Sequence, residues 1–479
     1  MVDVAVVGSG PNGLAAAVVM ARAGLEVHVY EADSVVGGGV RTLELMRPGH
    51  FHDVCSAVHP MALASPFFQD FELSRRIELR TPELSFGSPL DGGRAALAYR
   101  SLDRTAAELG RDGGAYRRLM EPLVRRVEQV TELTLNQLLR IPRDPVAAAM
   151  LGLRTLEQGT RAWNLRFREE LAPALLAGVA AHAVAPLPSL ASAGAGLMLG
   201  TLAHVQGWPI PVGGSASIAQ AMLADLETHG GTVHTGTRIG SLKELPAAKA
   251  TLLDVAPPAL RRMAADDLPS GYRRSLENFR FGNAACKVDF ILSGPVPWSA
   301  AELSDAGTVH IGGTRAETAQ AERLVAAGRH PARPYVLVSQ PSRFDPGRAP
   351  AGRHILWTYC HVPAGSTVDM GEAVIAQLER FSPGFRDLVV ESKVTTAAAL
   401  ADYNENYVGG DFGAGLMDVR GLIQRPVLSP VPWRTPLSGV YLCSSSTPPG
   451  PGVTGMSGYH AARYALKDMY GLGLPSLGL

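Results

Sequence analysis

The sequence predicts an α/β protein with a Rossmann-like dinucleotide-binding domain and a second, discontinuous α+β domain. Three observations predict it. Residues 2–31 read as strand, turn, helix and strand, with the turn Gly8-Ser9-Gly10-Pro11-Asn12-Gly13. A second glycine run follows, Gly37-Gly38-Gly39, with Arg41 just beyond it. Residues 440–471 then repeat the order strand, Gly/Pro-rich turn, helix.

The N-terminal unit is justified piece by piece. Val2–Val7 is a short apolar run, and LAAAVVMARA after the turn is a helix pattern stopped by Gly24. Gly8 permits the tight strand-to-helix turn, Gly10 the close approach of backbone to a pyrophosphate, and Gly13 close helix–strand packing. Pro11 and Asn12 lie in the turn, and the start of the helix that follows offers free N–H groups that favour phosphate. The second apolar run, Val27–Tyr30, ends at Glu31, 18 residues past Gly13. A carboxylate there accepts hydrogen bonds from ribose hydroxyls and disfavours a 2′-phosphate, and Ala32 follows at the strand end. The second glycine run allows another close backbone approach, and Arg41 can add charge-assisted bonds to the phosphate or flavin side.

Length and composition bound the rest. A chain of 479 residues is too long for one core, and 46% hydrophobic with 18% charged residues marks it as globular. Lys plus Arg equals Asp plus Glu at 44 each, so no basic excess points to nucleic acid. Cys55, Cys286, Cys360 and Cys443 are scattered without metal-ligand spacing, which predicts reduced thiols and no metal site. No signal peptide is read at the start, so a cytoplasmic protein is expected.

Along the chain, residues 101–170 read as charged helices. Leu171–Ala224 then carries no Asp, Glu, Lys or Arg for 54 residues. Pro186, Pro188 and several glycines interrupt it, so it predicts buried helices lining an apolar cavity, with a peripheral membrane contact as the alternative. His182 and His204 inside it are expected to be structural. Pro211-Val212-Gly213-Gly214 precedes a helix pattern and the strand TVHTG; the next apolar strand is placed at Thr251–Val255. CKVDFIL and RPYVLVSQ read as strands and MGEAVIAQLERFS as an amphipathic helix. No second GxGxxG follows a strand there, so a built-in NAD(P)H domain is not expected.

The N-terminal signature, the loop Tyr403-Asn404-Glu405-Asn406-Tyr407-Val408-Gly409-Gly410-Asp411 and the segment VYLCSSSTPPGPGVTGMSG together resemble the phytoene-desaturase-related oxidoreductases of the flavin amine oxidase superfamily. The resemblance implies FAD as cofactor. It assigns flavin contacts to Ser445, Ser446, Gly452, Val453, Thr454, Gly455 and Met456, and an adenine contact to Ile239. Ser444 and Ser446 stand where the family has glycines, and Pro448 where it has histidine, so that histidine's role is not carried over. The hairpin usual after the adenine-contacting strand is reduced to SLKELPAAKA.

The implied organisation is an FAD-binding domain from 1–90, 206–262 and 416–479, with a substrate-binding domain from 91–205 and 263–415. The implied reaction is hydride transfer between an apolar substrate and FAD, forming a C–C double bond or the reverse. Its electron acceptor is left open among oxygen, a quinone and a separate reductase. Catalytic candidates are three. Lys287 resembles the water-holding lysine of amine oxidases, against an edge-strand lysine. His59 lies close after the FAD signature, against a bonded core histidine. Tyr403, with Asp411, is expected on the substrate side, against a surface turn. Competing functions are amine oxidation, hindered by only 6% aromatic residues, a flavin-dependent isomerase, and a lipid-binding escort protein without flavin.

Overall fold

The computed structural model describes residues 2–479. Its first layer is a five-stranded parallel sheet in the order Val440–Leu442, Ala248–Leu253, Val2–Val7, Val27–Tyr30, Thr232–His234. The three chain segments expected in one domain therefore meet in one sheet. The N-terminal strand is central and buried on both faces from Val4 to Val7, which is why that part reads as a continuous apolar run rather than an alternating one; Asp3, at its start, is half-buried. Helix Pro11–Arg22 packs on this sheet, with helices Ala216–Thr228 and Met456–Ala465 against it.

The second layer is a seven-stranded sheet in the order Val389–Thr395, Ala284–Leu292, His354–Val362, Val336–Ser339, Ala306–Ile311, Leu84–Leu90, Arg94–Tyr99. Only Ala306–Ile311 and Leu84–Leu90 run parallel. Leu84–Leu90, inside the 1–90 segment, belongs to this sheet. The charged region forms helices Leu102–Glu108, Gly113–Val124, Val127–Thr134 and Pro145–Gln158.

The uncharged segment folds as helices Leu171–Ala180 and Leu190–Val205, followed by the start of Ala216–Thr228. Helix Leu190–Val205 is buried along most of its length, so it has no need of a polar face. Its Ser189 cap accepts from Ser192 N–H in a reciprocal capping box. Two boundaries differ from the sequence reading. The strand placed at Thr251–Val255 runs Ala248–Leu253, because its register is set by pairing with Val2–Val7. Within the charged region 101–170, the helical stretch from Gly113 breaks at Arg125–Arg126 and ends at Thr134.

Candidate functional site

A single cavity of about 1340 Å³ runs between the two layers. That exceeds the ~300–1,000 Å³ of an ordinary small-molecule site. One end lies over the carboxyl ends of Val2–Val7, Val27–Tyr30 and Ala248–Leu253, where an open α/β sheet places its ligand. The other end is walled by the helices of the uncharged segment and by the second sheet.

At the first end, Gly8, Gly10, Pro11, Asn12, Glu31 and Ala32 line the cavity, together with Gly38, Gly39, Arg41 and Ile239. From the C-terminal turn, Ser445, Ser446, Gly452 and Val453 line it too. The two ends of the chain meet where Asn12 Nδ2 donates to Ser445 Oγ at 3.2 Å. The remaining expected cofactor residues stand behind this surface. Gly13 is packed so that a Cβ would fall 2.1 Å from Gly8 O. Gly37 adopts φ +111° and donates to Ser9 O. Thr454 O accepts from Ser65 Oγ, Gly455 turns the chain at φ +67°, and Met456 starts the last helix inside the core.

The glycines make a cradle that a side chain would fill. A Cβ on Gly10 would sit 2.6 Å from Asp254 Oδ2, and one on Gly38 3.1 Å from Gly10 Cα. Glu31 is aimed by four donors: Ser9 N–H (2.9 Å), Ser9 Oγ (2.5 Å), Asp33 N–H (2.9 Å) and Arg41 Nη2 (3.3 Å). Arg41 also binds Asp33, Val35 O and the Tyr403 hydroxyl. It therefore faces the Glu31 side of the cradle, where a phosphate or flavin-side position was anticipated. Cradle, carboxylate and buried guanidinium suit a dinucleotide.

Three groups here were not read from the sequence. Asp254 lines the cavity and accepts from Gly13 N–H at 2.9 Å. Burial, and then Glu31, push its carboxyl up to about 7. An acid closing an apolar strand at the carboxyl edge of a parallel sheet was its only signal. Asn406 accepts from Ala256 N–H and donates to Asp254 O, docking the Tyr403–Asp411 loop on this strand. Arg425, fully buried, donates to Gly413 O and Ser445 O behind the C-terminal turn.

The catalytic candidates separate. His59 lines the cavity, and its Nε2 lies 2.7 Å from Ser215 Oγ. The Ser215 hydroxyl donates to Ser56 O, so His59 Nε2 is the donor to it. Burial lowers the His59 pKa to about 4, leaving it a neutral, bonded ring at pH 7. Ser215 is itself held by Asp53, which pairs with buried Arg348.

Tyr403 lines the cavity beside Arg41, at the carboxylate end and not among the apolar walls. Asp411 does not line it; it accepts from the N–H groups of Gly282, Gly413 and Gly415 and closes a loop. Lys287 is not a lining residue either. It sits on a strand paired on both sides and forms an ion pair with Asp289, two residues on and on the same face. The edge position therefore does not describe it; its Nζ lies 5.8 Å from the ring centroid of Trp357, which lines the cavity.

At the far end the walls include Leu151, Leu190, Met198, Trp208, Trp357 and Phe412. The only Asp, Glu, Lys or Arg side chains lining the cavity, among the described residues, are Glu31, Asp33, Arg41, Arg238, Asp254, Arg262 and Glu405. All belong to the first end, where Glu405 pairs with Arg238 and Arg262. The far end thus carries no formal charge. Its polar side chains include Thr155, Tyr359 and a histidine pair: His182 lines the cavity, and its Nε2 lies 2.8 Å from Nε2 of buried His310. Burial pushes His182 down to about 3 and His310 well below its ordinary value. Both rings are neutral, so one Nε2–H donates to the other Nε2, and His310 Nδ1 has no hydrogen-bond partner among the described residues. His204 bonds Tyr116 and Tyr99 O, as a structural residue does.

The family model for flavin-containing amine oxidoreductases matches residues 12–463. The chain belongs to this family. It is an FAD-dependent oxidoreductase. A rat relative, pyridine nucleotide-disulfide oxidoreductase domain-containing protein 2, is 24% identical over 98% of this chain and 94% of its own length. A 4,4'-diapolycopen-4-al dehydrogenase of Metabacillus indicus is 32% identical over 26% of each chain. Among solved structures, a redesigned putrescine oxidase has a TM-score of 0.63 at 17% identity, covering 97% of this chain and 98% of its own; at that identity the likeness is one of fold. No helix among the described residues is long and apolar enough to cross a membrane.

Proposed function

We propose that this flavoenzyme moves hydrogen between FAD and an apolar substrate, forming a C–C double bond or reversing that reaction. The observation that carries the reading is the uncharged far end of the cavity, whose lining includes no Asp, Glu, Lys or Arg. A cationic or acidic substrate buried there would lack a counter-charge, which costs far more than burying hydrocarbon. The likeness to a 4,4'-diapolycopen-4-al dehydrogenase, over 26% of the chain, supports dehydrogenation as the reaction type, that protein's own name giving an aldehyde as its substrate. Glu31, Arg41, the two glycine runs and the Ser445–Val453 turn would hold the cofactor, which when bound supplies the two-electron acceptor. The apolar walls orient the substrate and exclude water, and the neutral His182, held by His310, positions it from that end.

Amine oxidation is the second reading, favoured by an aromatic wall in which Tyr359 packs on Trp357 and Phe412 with ring centroids 5.3 and 5.4 Å away. The absence of a lining carboxylate at that end ranks it second. The test is anaerobic mixing of the flavin-loaded enzyme with linear apolar polyenes of graded saturation and, separately, with primary and secondary amines. Bleaching of the flavin band by a polyene alone is expected; bleaching by amines alone would sink the proposal. Reoxidation by oxygen, a quinone or a reductase then identifies the acceptor.

A further inference from the structure

Sixteen large apolar side chains are exposed among the described residues, and nine of them fall within 138–165 and 419–428. Their placement is not random. Leu138, Leu139, Leu156 and Val419 are exposed and also line the cavity, so they form its rim. Ile141, 91% exposed, lies two residues beyond Leu139. Leu428 adjoins the rim because Gln137 Nε2 donates to Ser429 O.

Helix Pro145–Gln158 continues this surface. Val146, Ala149, Leu153 and Leu156 recur at three- and four-residue spacing and are all exposed. Ala148, Leu151 and Thr155 of the same helix line the cavity. A helix at a water-exposed surface turns polar residues outward; this one turns aliphatic residues outward and encloses a cavity with the other side.

The charges around the face carry a positive excess, although Arg143 lies 3.7 Å from Glu132. Arg143, Arg161 and Arg420 stand exposed. The nearby acids are engaged: Asp144 caps the helix and pairs with Arg126, Glu157 pairs with Arg166, Asp418 caps Val419–Ile423 and pairs with Arg280, and Glu132 faces both Arg140 and Arg143. Apolar side chains ringed by arginine fit the boundary between acyl chains and anionic headgroups.

We propose that this face docks the enzyme onto an anionic lipid bilayer, with the cavity mouth opening into the apolar layer. With no helix able to span, the contact is interfacial. It goes beyond the reading of the cavity by naming where the apolar substrate enters, and it stands on the surface alone.

The test is co-sedimentation of the flavin-loaded protein with extruded vesicles of phosphatidylcholine alone and of equimolar phosphatidylcholine and phosphatidylglycerol. The protein is expected to sediment with the anionic vesicles and to be released by salt. Ile141→Asp with Leu153→Asp should lower the partition coefficient by about tenfold or more. Arg143→Glu with Arg420→Glu should remove the preference for phosphatidylglycerol. Unchanged flavin absorbance and melting temperature show that the variants are folded. The proposal is overturned if the wild type stays in the supernatant, or if the aspartate variant partitions as the wild type does. It is equally overturned if the face instead pairs two copies, seen as a dimer in sedimentation velocity that the aspartates split and that ignores vesicles. No substrate enters this assay, so its failure leaves the polyene reading to the anaerobic experiment.

Discussion

Asp254 shows how far a single residue departs from what its type suggests. Its carboxyl titrates near 7 in the fold against 3.8 for the free group, because burial and the neighbouring Glu31 oppose its charge. The sign follows from linkage. The folded chain holds this proton more tightly, so the associated stability is full below pH 3.8 and is lost as pH rises through about 7. Asp254→Asn keeps an oxygen for Gly13 N–H and removes the titration. Between pH 5 and 8 the melting temperature of the wild type should fall relative to this variant by about 2 °C or more; a constant difference would show that the carboxyl does not titrate there. His182→Phe should retain FAD and slow anaerobic flavin reduction by about 10–100-fold through loss of substrate positioning, measured by stopped flow. An unchanged rate would remove the histidine pair from the reaction. Glu31 and the lining glycines were legible because each position depends on local spacing, whereas the turn of Arg41 toward Glu31, Asp33 and Tyr403 was not. Asp254 and His310 were not, because each gains its role from a partner far away in the chain: Gly13 for one, His182 for the other.

Elements meet here through backbone. Gly458, on the last helix, lies against the first helix so closely that a Cβ would sit 1.9 Å from Asn12 O. Helix Pro11–Arg22 and helix Met456–Ala465 cannot separate without opening the Asn12–Ser445 contact. Gly458→Ala should cost about 2–4 kcal/mol in denaturant unfolding and lower the flavin content. Gly152, on the helix at the cavity mouth, has nothing within 4 Å of its would-be Cβ. Gly152→Ala should be neutral or stabilising by about 0.5–1 kcal/mol. The order of strands and helices around the first sheet was legible from apolar runs and glycine punctuation, whereas of the second sheet only Ala284–Leu292 and Val336–Ser339 were. Lys287 was not: a lysine opening an apolar strand reads as an edge residue until the pairing on both sides and the Asp289 partner are in place.

At the scale of the whole molecule, burial of neutral histidines sets the acid limit. His59 and His204 titrate near 4, and His182 and His460 near 3, all lowered by burial from 6.5. Their contribution is fully present above pH 6.5 and is lost as pH falls from there toward 4 and below. A steep fall in melting temperature across pH 6.5–4, shallower in His204→Gln, is the expected result. The sequence by itself determined the cofactor end. A strand, a glycine turn, a helix and an acid at fixed spacing specify a dinucleotide cradle, because every part lies within one turn or one strand of the next. Only the tertiary structure decided the substrate end. Its walls come from helices, from the second sheet and from loops hundreds of residues apart. An uncharged stretch of chain becomes an uncharged cavity only when folding sets it opposite other apolar surfaces and holds all the lining charges at the other end.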